Sequence, residues 1–412
     1  MLTLPPHWRR NFNYFLTGQF LSGVTSMIVQ YALIWYLTKT TNSATILSLA
    51  MLMGMLPMVL LAPFAGPIID RVNKKALLIV TDIIVALFAV LLSATGWLIG
   101  EFPVWLVFVV LFIRAVAQTW QQPTIQAAVP VMVPESELTQ TNGKLGVVQS
   151  ANTIIAPALG AFLFGFLPLN ALVLLDVVGA VVGIGLLLLV TLPQSTAQGE
   201  SIKVGRDAVA GYRLLRSRPG LWLIILIETL FTLFFMPAAS LYPLMTMSYF
   251  HGTVGQAGIV EVVYAGGMLA GGLLISRWGT WRDRVKPILW AYFVIGGTIS
   301  VSGLLPGTPL GFWLFVGLNT IAGLATPFFS TVFYAIIQQS FPPEQLGRVM
   351  GVTMALTSLA GPIGLIFAGP LADLIGVAAM FVIAGVGAFI CGWLNWRIPA
   401  ARQYDCQLQQ EK

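Results

Sequence analysis

Long runs of Leu, Val, Ile, Ala and Phe fill the chain, separated by short clusters of Lys, Arg, Pro and Gly. A bilayer-crossing helix needs roughly 20 mainly apolar residues, and this pattern predicts twelve of them. They cover 14–38, 44–69, 76–100, 103–131, 140–166, 169–192, 220–249, 255–276, 287–306, 309–340, 345–371 and 375–398. A membrane barrel would show short alternating segments instead, so the expected class is an all-α membrane protein. The first run, about Tyr14 to Leu37, follows Arg9 and Arg10 and exceeds the ~7 to 15 residues of a cleavable signal core. It reads as a retained first span.

Charge then orients the array. Of 412 residues 57% are hydrophobic and only 9% are charged, against roughly 25% in a soluble domain, which excludes an ordinary soluble enzyme. With the N-terminus in the cytoplasm, 19 of the 21 basic residues fall on the inner side or its margin. Lys39 and Arg114 are the exceptions. Cytoplasmic loops accumulate Lys and Arg, so a multi-pass membrane protein with both termini inside is expected. The net charge of +6 is thus a signal of topology, and no nucleic-acid partner is expected. Cys391 and Cys406, with His7 and His251, are too few and too scattered for a metal site, a cofactor or a catalytic triad.

The longest polar stretch, Pro193 to Pro219, divides the chain into a bundle at 1–192, a cytoplasmic linker at 193–219 and a second bundle with a tail at 220–412. Within it, 203–218 reads either as a basic amphipathic helix on the inner leaflet, with Ile202, Val209, Tyr212 and Leu215 on one side, or as a plain loop. An internal repeat agrees with the division. PESEL at 134–138 and PPEQL at 342–346 are offset by 208 residues, and Ala156-Pro157 and Gly361-Pro362 by 205. Gly160 and Gly364 follow within three residues of each proline. Parallel repeats of six spans mark one class of secondary transporter, whose halves rock around a site near the midplane.

GPIIDRVNKKA, Gly66 to Ala76, resembles the inner-loop signature of the major facilitator superfamily. The resemblance implies close helix approach at Gly66, gating contacts from Asp70, and a turn held in the cytoplasm by Arg71, Lys74 and Lys75. Asn73 replaces the usual turn glycine and tolerates φ > 0. The second copy, Gly271 to Lys286, has Ser276 at the Asp position, which implies weaker gating pairs. FIRAVAQ, Phe112 to Gln118, resembles the buried-arginine signature, with Arg114 at the arginine and Gln118 where a glycine is usual. APALGA, Ala156 to Ala161, resembles a degenerate antiporter element, matched at Pro157 and Gly160. With Gly18-Gln19, IWYLT at 34–38 and LFIR at 111–114, the whole chain resembles bacterial macrolide efflux proteins. The implied protein is a monomeric drug-efflux antiporter of twelve helices in two pseudo-symmetric six-helix bundles, conferring antibiotic resistance by exchanging a small amphipathic molecule for protons.

A charge at the bilayer centre costs at least ~2.5 to 3.5 kcal/mol on insertion scales, so intramembrane ionisable groups are functional candidates. They are Asp82, Arg114, Asp176, Glu228 and Glu261. Arg114, about 11 residues into span 4, lies ~16 Å deep, near the midplane, with Gln118 and Gln121 on its face. The resemblance implies that spans 1, 4, 7 and 10, helped by 2, 5, 8 and 11, line the cavity. Glu228 and Glu261 therefore rank ahead of Asp82 and Asp176 as proton carriers, with helix bracing favoured for the two aspartates. Polar positions Gln19, Ser22, Ser26 and Gln30 on span 1, and Asn319, Thr326 and Ser330 on span 10, alternate with aromatics that include Tyr31, Phe231, Phe235, Phe329 and Tyr334. This mixture suits bulky amphipathic ligands in contact with membrane lipid. A nucleotide-driven pump is disfavoured, since GxxxxGK[ST] is absent from the sequence. The runner-up is another amphipathic cargo, a siderophore or a lysophospholipid.

Overall fold

A computed structural model describes residues 7–69, 72–134, 137–192, 204–278, 281 and 283–410. Among these residues every regular element is helical, and twelve helices are long and apolar enough to cross a membrane. Spans one to five are α1 (Trp8–Thr41), α2 (Ala44–Ile69), α3 (Lys74–Ile99), α4 (Val104–Met132) and α5 (Leu138–Phe166). The sixth span is broken into α6 (Leu169–Val173) and α7 (Leu175–Leu189). A linker helix, α8 (Val204–Arg216), precedes the seventh span, α9 (Pro219–Leu244), which continues through a π-helical turn, Met245–Tyr249. The remaining spans are α10 (Val254–Trp278), α11 (Val285–Leu304), α12 (Pro309–Ser340), α13 (Pro343–Ile375) and α14 (Val377–Arg397). The tail carries α15 (Pro399–Arg402) and α16 (Tyr404–Gln410).

Two compact units divide the described chain: Met1–Leu37 with Ala50–Ile202, and Thr38–Leu49 with Lys203–Lys412. Lipid tails are as apolar as Leu, so helices in a membrane associate through close packing at small residues rather than by hiding oil from water. In the first unit Gly179 and Gly183 of α7 face α1, where a Cβ at Gly179 would meet Thr25 Oγ1 and one at Gly183 would lie 3.2 Å from Ser22 Cβ. In the second unit Gly267 and Gly271 of α10 lie against the backbone of α12. Packing repeats between the units. Gly160 of α5 seats the Trp35 ring of α1, 3.4 Å from its ideal Cβ, and Gly364 of α13 lies against the Leu233 carbonyl and Pro237 of α9. Each glycine follows the repeated proline and packs on the first span of its own unit.

α8 resolves the open choice for 204–216 in favour of a helix, but not one lying freely on the leaflet. Gly211 packs against the Arg348 carbonyl at the start of α13, and Leu215 is fully buried while Val209 and Tyr212 stay exposed. Ile202 and the remainder of the linker, 193–203, lie outside the described residues. The tail is also tied down. Asp405 accepts from Arg284 N at 2.8 Å and pairs with its guanidinium at 2.6 Å, and Tyr404 donates to Ser340 Oγ at 2.9 Å.

Candidate functional site

In the first unit, the polar stripe of α1 lies between two apolar clusters, one built on Phe12 and Phe15 and the other on Ile28 and Ala32. The close approach of α7 brings Asp176 to that stripe, and α4 brings Arg114. The Arg114 guanidinium pairs with the Asp176 carboxylate and donates to the Ser26 carbonyl, to Ser26 Oγ at 3.0 Å and to Gln30 Oε1 at 3.3 Å. All its nitrogens are thereby engaged, as a buried guanidinium requires. Asp176 sits in the first turn of α7. The break at Leu174 thus sets a helix N-terminus, with its partial positive charge, beside an intramembrane carboxylate.

Asp82, buried on α3, accepts from Gln121 Nε2 at 2.5 Å. Asp82 and Asp176 share a cavity of about 120 Å³ with Gln19, Ser22, Ser26, Gln118, Gln121 and Asn152. Ligand pockets usually measure ~300 to 1,000 Å³, so this space suits water and a proton rather than a drug. Here the structure departs from the sequence-based ranking. The aspartates expected on peripheral braces line the polar cavity, and Arg114 reaches it through its pair with Asp176, because α7 reaches α1 through glycines and α3 lies beside α4. Gln19, Gln118 and Gln121, expected to touch substrate, line the same small space. Gln30 is occupied by Arg114, and Tyr31 stacks on Trp35 with centroids 5.5 Å apart.

In the second unit Glu228 is buried on α9 and accepts from the Tyr292 hydroxyl of α11 at 3.3 Å. Around it Phe231 stacks on Phe235, meets Tyr292 and Phe329 at 5.1 Å, and Phe333 links Phe329 to Tyr334. The expected aromatic residues of this unit, Phe231, Phe235, Phe329 and Tyr334, therefore do come together as a packed shell about a carboxyl, while Tyr31 does not join them. Glu261 is half-buried on α10, within electrostatic reach of Tyr242 and Tyr264, and Tyr264 bonds Thr326 at 3.1 Å. Asn319 differs from its expected role. It is buried and donates to the Val260 carbonyl at 2.8 Å, so it ties α12 to α10. Among the described residues, Asp176 alone of the four intramembrane carboxyls has a cationic partner.

Of the gating candidates, Asp70 and Arg71 lie outside the described residues, and Gly66 falls within α2. Lys75 donates to the Leu188 and Val190 carbonyls at 3.0 and 2.9 Å, closing the end of α7. Lys74 is buried rather than held in water. Asn73 has φ of −67° and caps α3, accepting from Ala76 N at 3.1 Å, so its side chain rather than a left-handed backbone makes the turn. Ser276 spends its hydroxyl on the Leu273 carbonyl of its own helix. Pro157 lies inside α5 one turn before Gly160.

Sequence reasoning missed Asp373 at the end of α13. Its carboxylate accepts from Ala44 N at 2.7 Å, Thr45 N at 3.0 Å and Ser43 Oγ at 3.0 Å within the second unit, capping the start of α2. Its acidity near a span end was visible, but its partner lies some 330 residues away.

A sequence profile for the Major Facilitator Superfamily matches residues 15–282 and 231–405. Macrolide efflux protein A of Streptococcus pyogenes is 38% identical over 395 residues, covering 94% of this chain and 97% of that protein. Multidrug efflux pump Tap of Mycolicibacterium fortuitum is 25% identical over 400 residues, covering 93% and 94%. Among solved structures, a bacterial homologue of the iron transporter ferroportin in an inward-facing state aligns with a TM-score of 0.73 at 17% identity, covering 94% of this chain and 98% of that one. The nucleoside transporter NupG aligns at 0.70 and 12% identity, covering 98% and 100%. At such identities the likeness is one of fold alone.

Proposed function

The chain belongs to the major facilitator superfamily, and we propose that it exports bulky, macrolide-like amphipathic drugs across the cytoplasmic membrane by alternating access, in exchange for protons. The observation that carries this reading is full-length kinship with a macrolide efflux protein, 38% identical over 94% of the chain. Proton coupling draws support from the four carboxyls and single guanidinium inside the spans. In this reading a carboxyl exchanges its proton as the Arg114–Asp176 pair opens and closes, while the small cavity supplies water to Asp82. Exchanging a neutral drug for one inward proton moves one charge, worth ~2.3 kcal/mol per 100 mV, enough for a gradient of about 50-fold. The protein transports its cargo without converting it. An even number of crossings, with basic residues gathered on one side, supports two cytoplasmic termini.

The test is a susceptibility panel in an efflux-deficient host, run with the proton gradient intact and then collapsed by an uncoupler. Macrolide tolerance that rises with expression and vanishes on uncoupling is the expected result. Unchanged susceptibility to every drug removes the cargo assignment, and tolerance indifferent to the uncoupler removes the proton.

A further inference from the structure

A groove runs between α11 and α12 on the surface of the second unit. Ala291 and Ala325 form its floor, both buried, and their small side chains leave a trough of about 440 Å³. Ile321 and Phe328 stand along the α12 side. At one end Trp281 leans on Phe328, ring centroids 5.9 Å apart, beside Lys286. Counting along α11, the trough reaches from Lys286 to Val294, eight residues or ~12 Å parallel to the helix. It therefore enters the apolar layer from the basic end of the span.

The charges at that end are unequally occupied. Asp405 holds Arg284, and Asp283 accepts from Val285 N at 3.1 Å, so the start of α11 is already capped. Lys286 is left with Asp283 Oδ2 at 3.8 Å and a side chain 71% exposed. One turn deeper on the same face stands Trp290, 70% exposed. An indole N–H on a lipid-facing surface seeks an acceptor at the interface. A cation, then an N–H donor a turn below it, then an apolar trough match the order of groups along a phospholipid: phosphate, ester carbonyls, acyl chain.

We propose that this groove binds one anionic phospholipid, with its phosphate on Lys286, its ester carbonyls level with Trp290 and one acyl chain along the Ala291–Ala325 trough. The site is separate from the carboxyl-lined cavity and does not depend on the transported cargo. A bulk annular lipid would need neither the cation nor the trough.

Native mass spectrometry of the full-length protein in mild detergent, titrated with phosphatidylglycerol or phosphatidylcholine of identical chains, tests this. The wild-type protein binds one phosphatidylglycerol about fivefold more tightly, the ratio set by the ~1 kcal/mol of one basic group near anionic lipid. Lys286→Gln, at an exposed position, abolishes the preference while phosphatidylcholine binding is kept. Leu324→Trp fills the trough and weakens both lipids together. Should its lipid-free melting temperature fall, Ile321→Trp fills the trough from the open side. Equal binding of the two lipids by the wild-type protein, a preference that survives Lys286→Gln, or trough variants that bind as the wild type does would each overturn the assignment.

Discussion

Arg114 and Asp176 are almost fully buried, and neither could be buried alone. Removing one partner leaves an uncompensated charge at a cost of about 3 to 5 kcal/mol, whereas replacing both by apolar groups is often nearly neutral. Arg114→Ala is therefore expected to lower the melting temperature in detergent sharply, and the double variant Arg114→Met with Asp176→Leu to recover most of the loss without recovering transport. A double variant as unstable as the single one would show that the ion pair is not what the arginine supplies. Glu228 differs, because its contacts are a tyrosine hydroxyl and packed rings. Glu228→Gln can still accept from Tyr292, so normal expression with loss of pH-driven export is expected, and unchanged export in vesicles would exclude this carboxyl. The candidates themselves were legible as charges inside apolar runs. Their partners were not: sequence gives the cost of burying Arg114, but the identity of Asp176 as its neighbour depends on how closely α7 approaches α1.

Element boundaries were legible because charge and proline clusters set them, and each of the twelve expected runs falls on helix, the sixth on two. The interruption at Leu174 was hidden, since no Pro or Gly marks it, and the docked tail was hidden because Tyr404–Gln410 is too polar to read as packed. The repeated glycines give a sharper test of packing. At Gly160 a methyl would sit 3.4 Å from the Trp35 ring, an ordinary contact, and Ala gains ~0.5 to 1 kcal/mol over Gly inside a helix. At Gly364 the same methyl would lie 2.5 Å from the Leu233 backbone carbonyl oxygen and 3.2 Å from the Pro237 ring. Gly160→Ala is accordingly expected to be neutral or slightly stabilising, and Gly364→Ala to cost about 1 to 3 kcal/mol by overpacking. Equal melting temperatures for the two variants would contradict this difference between α5 and α13.

For the molecule as a whole, the distribution of basic residues predicts sidedness, and the native cysteines can report it without engineering. Cys391 is buried in α14 and Cys406 is exposed in α16. Slight desolvation pushes the exposed Cys406 thiol above its ordinary range, helped by the Asp283 and Asp405 carboxylates and opposed by Lys286. A raised thiol value means less thiolate at neutral pH, and the thiolate is the species that reacts. A membrane-impermeant maleimide is therefore expected to label Cys406 in inside-out vesicles more slowly than a free thiol at pH 7. The rate should climb about tenfold per pH unit until the raised value is reached. The same reagent on intact cells should leave the chain unlabelled, Cys391 included. Labelling of Cys406 from outside would invert the topology, and with it the direction of the proposed exchange.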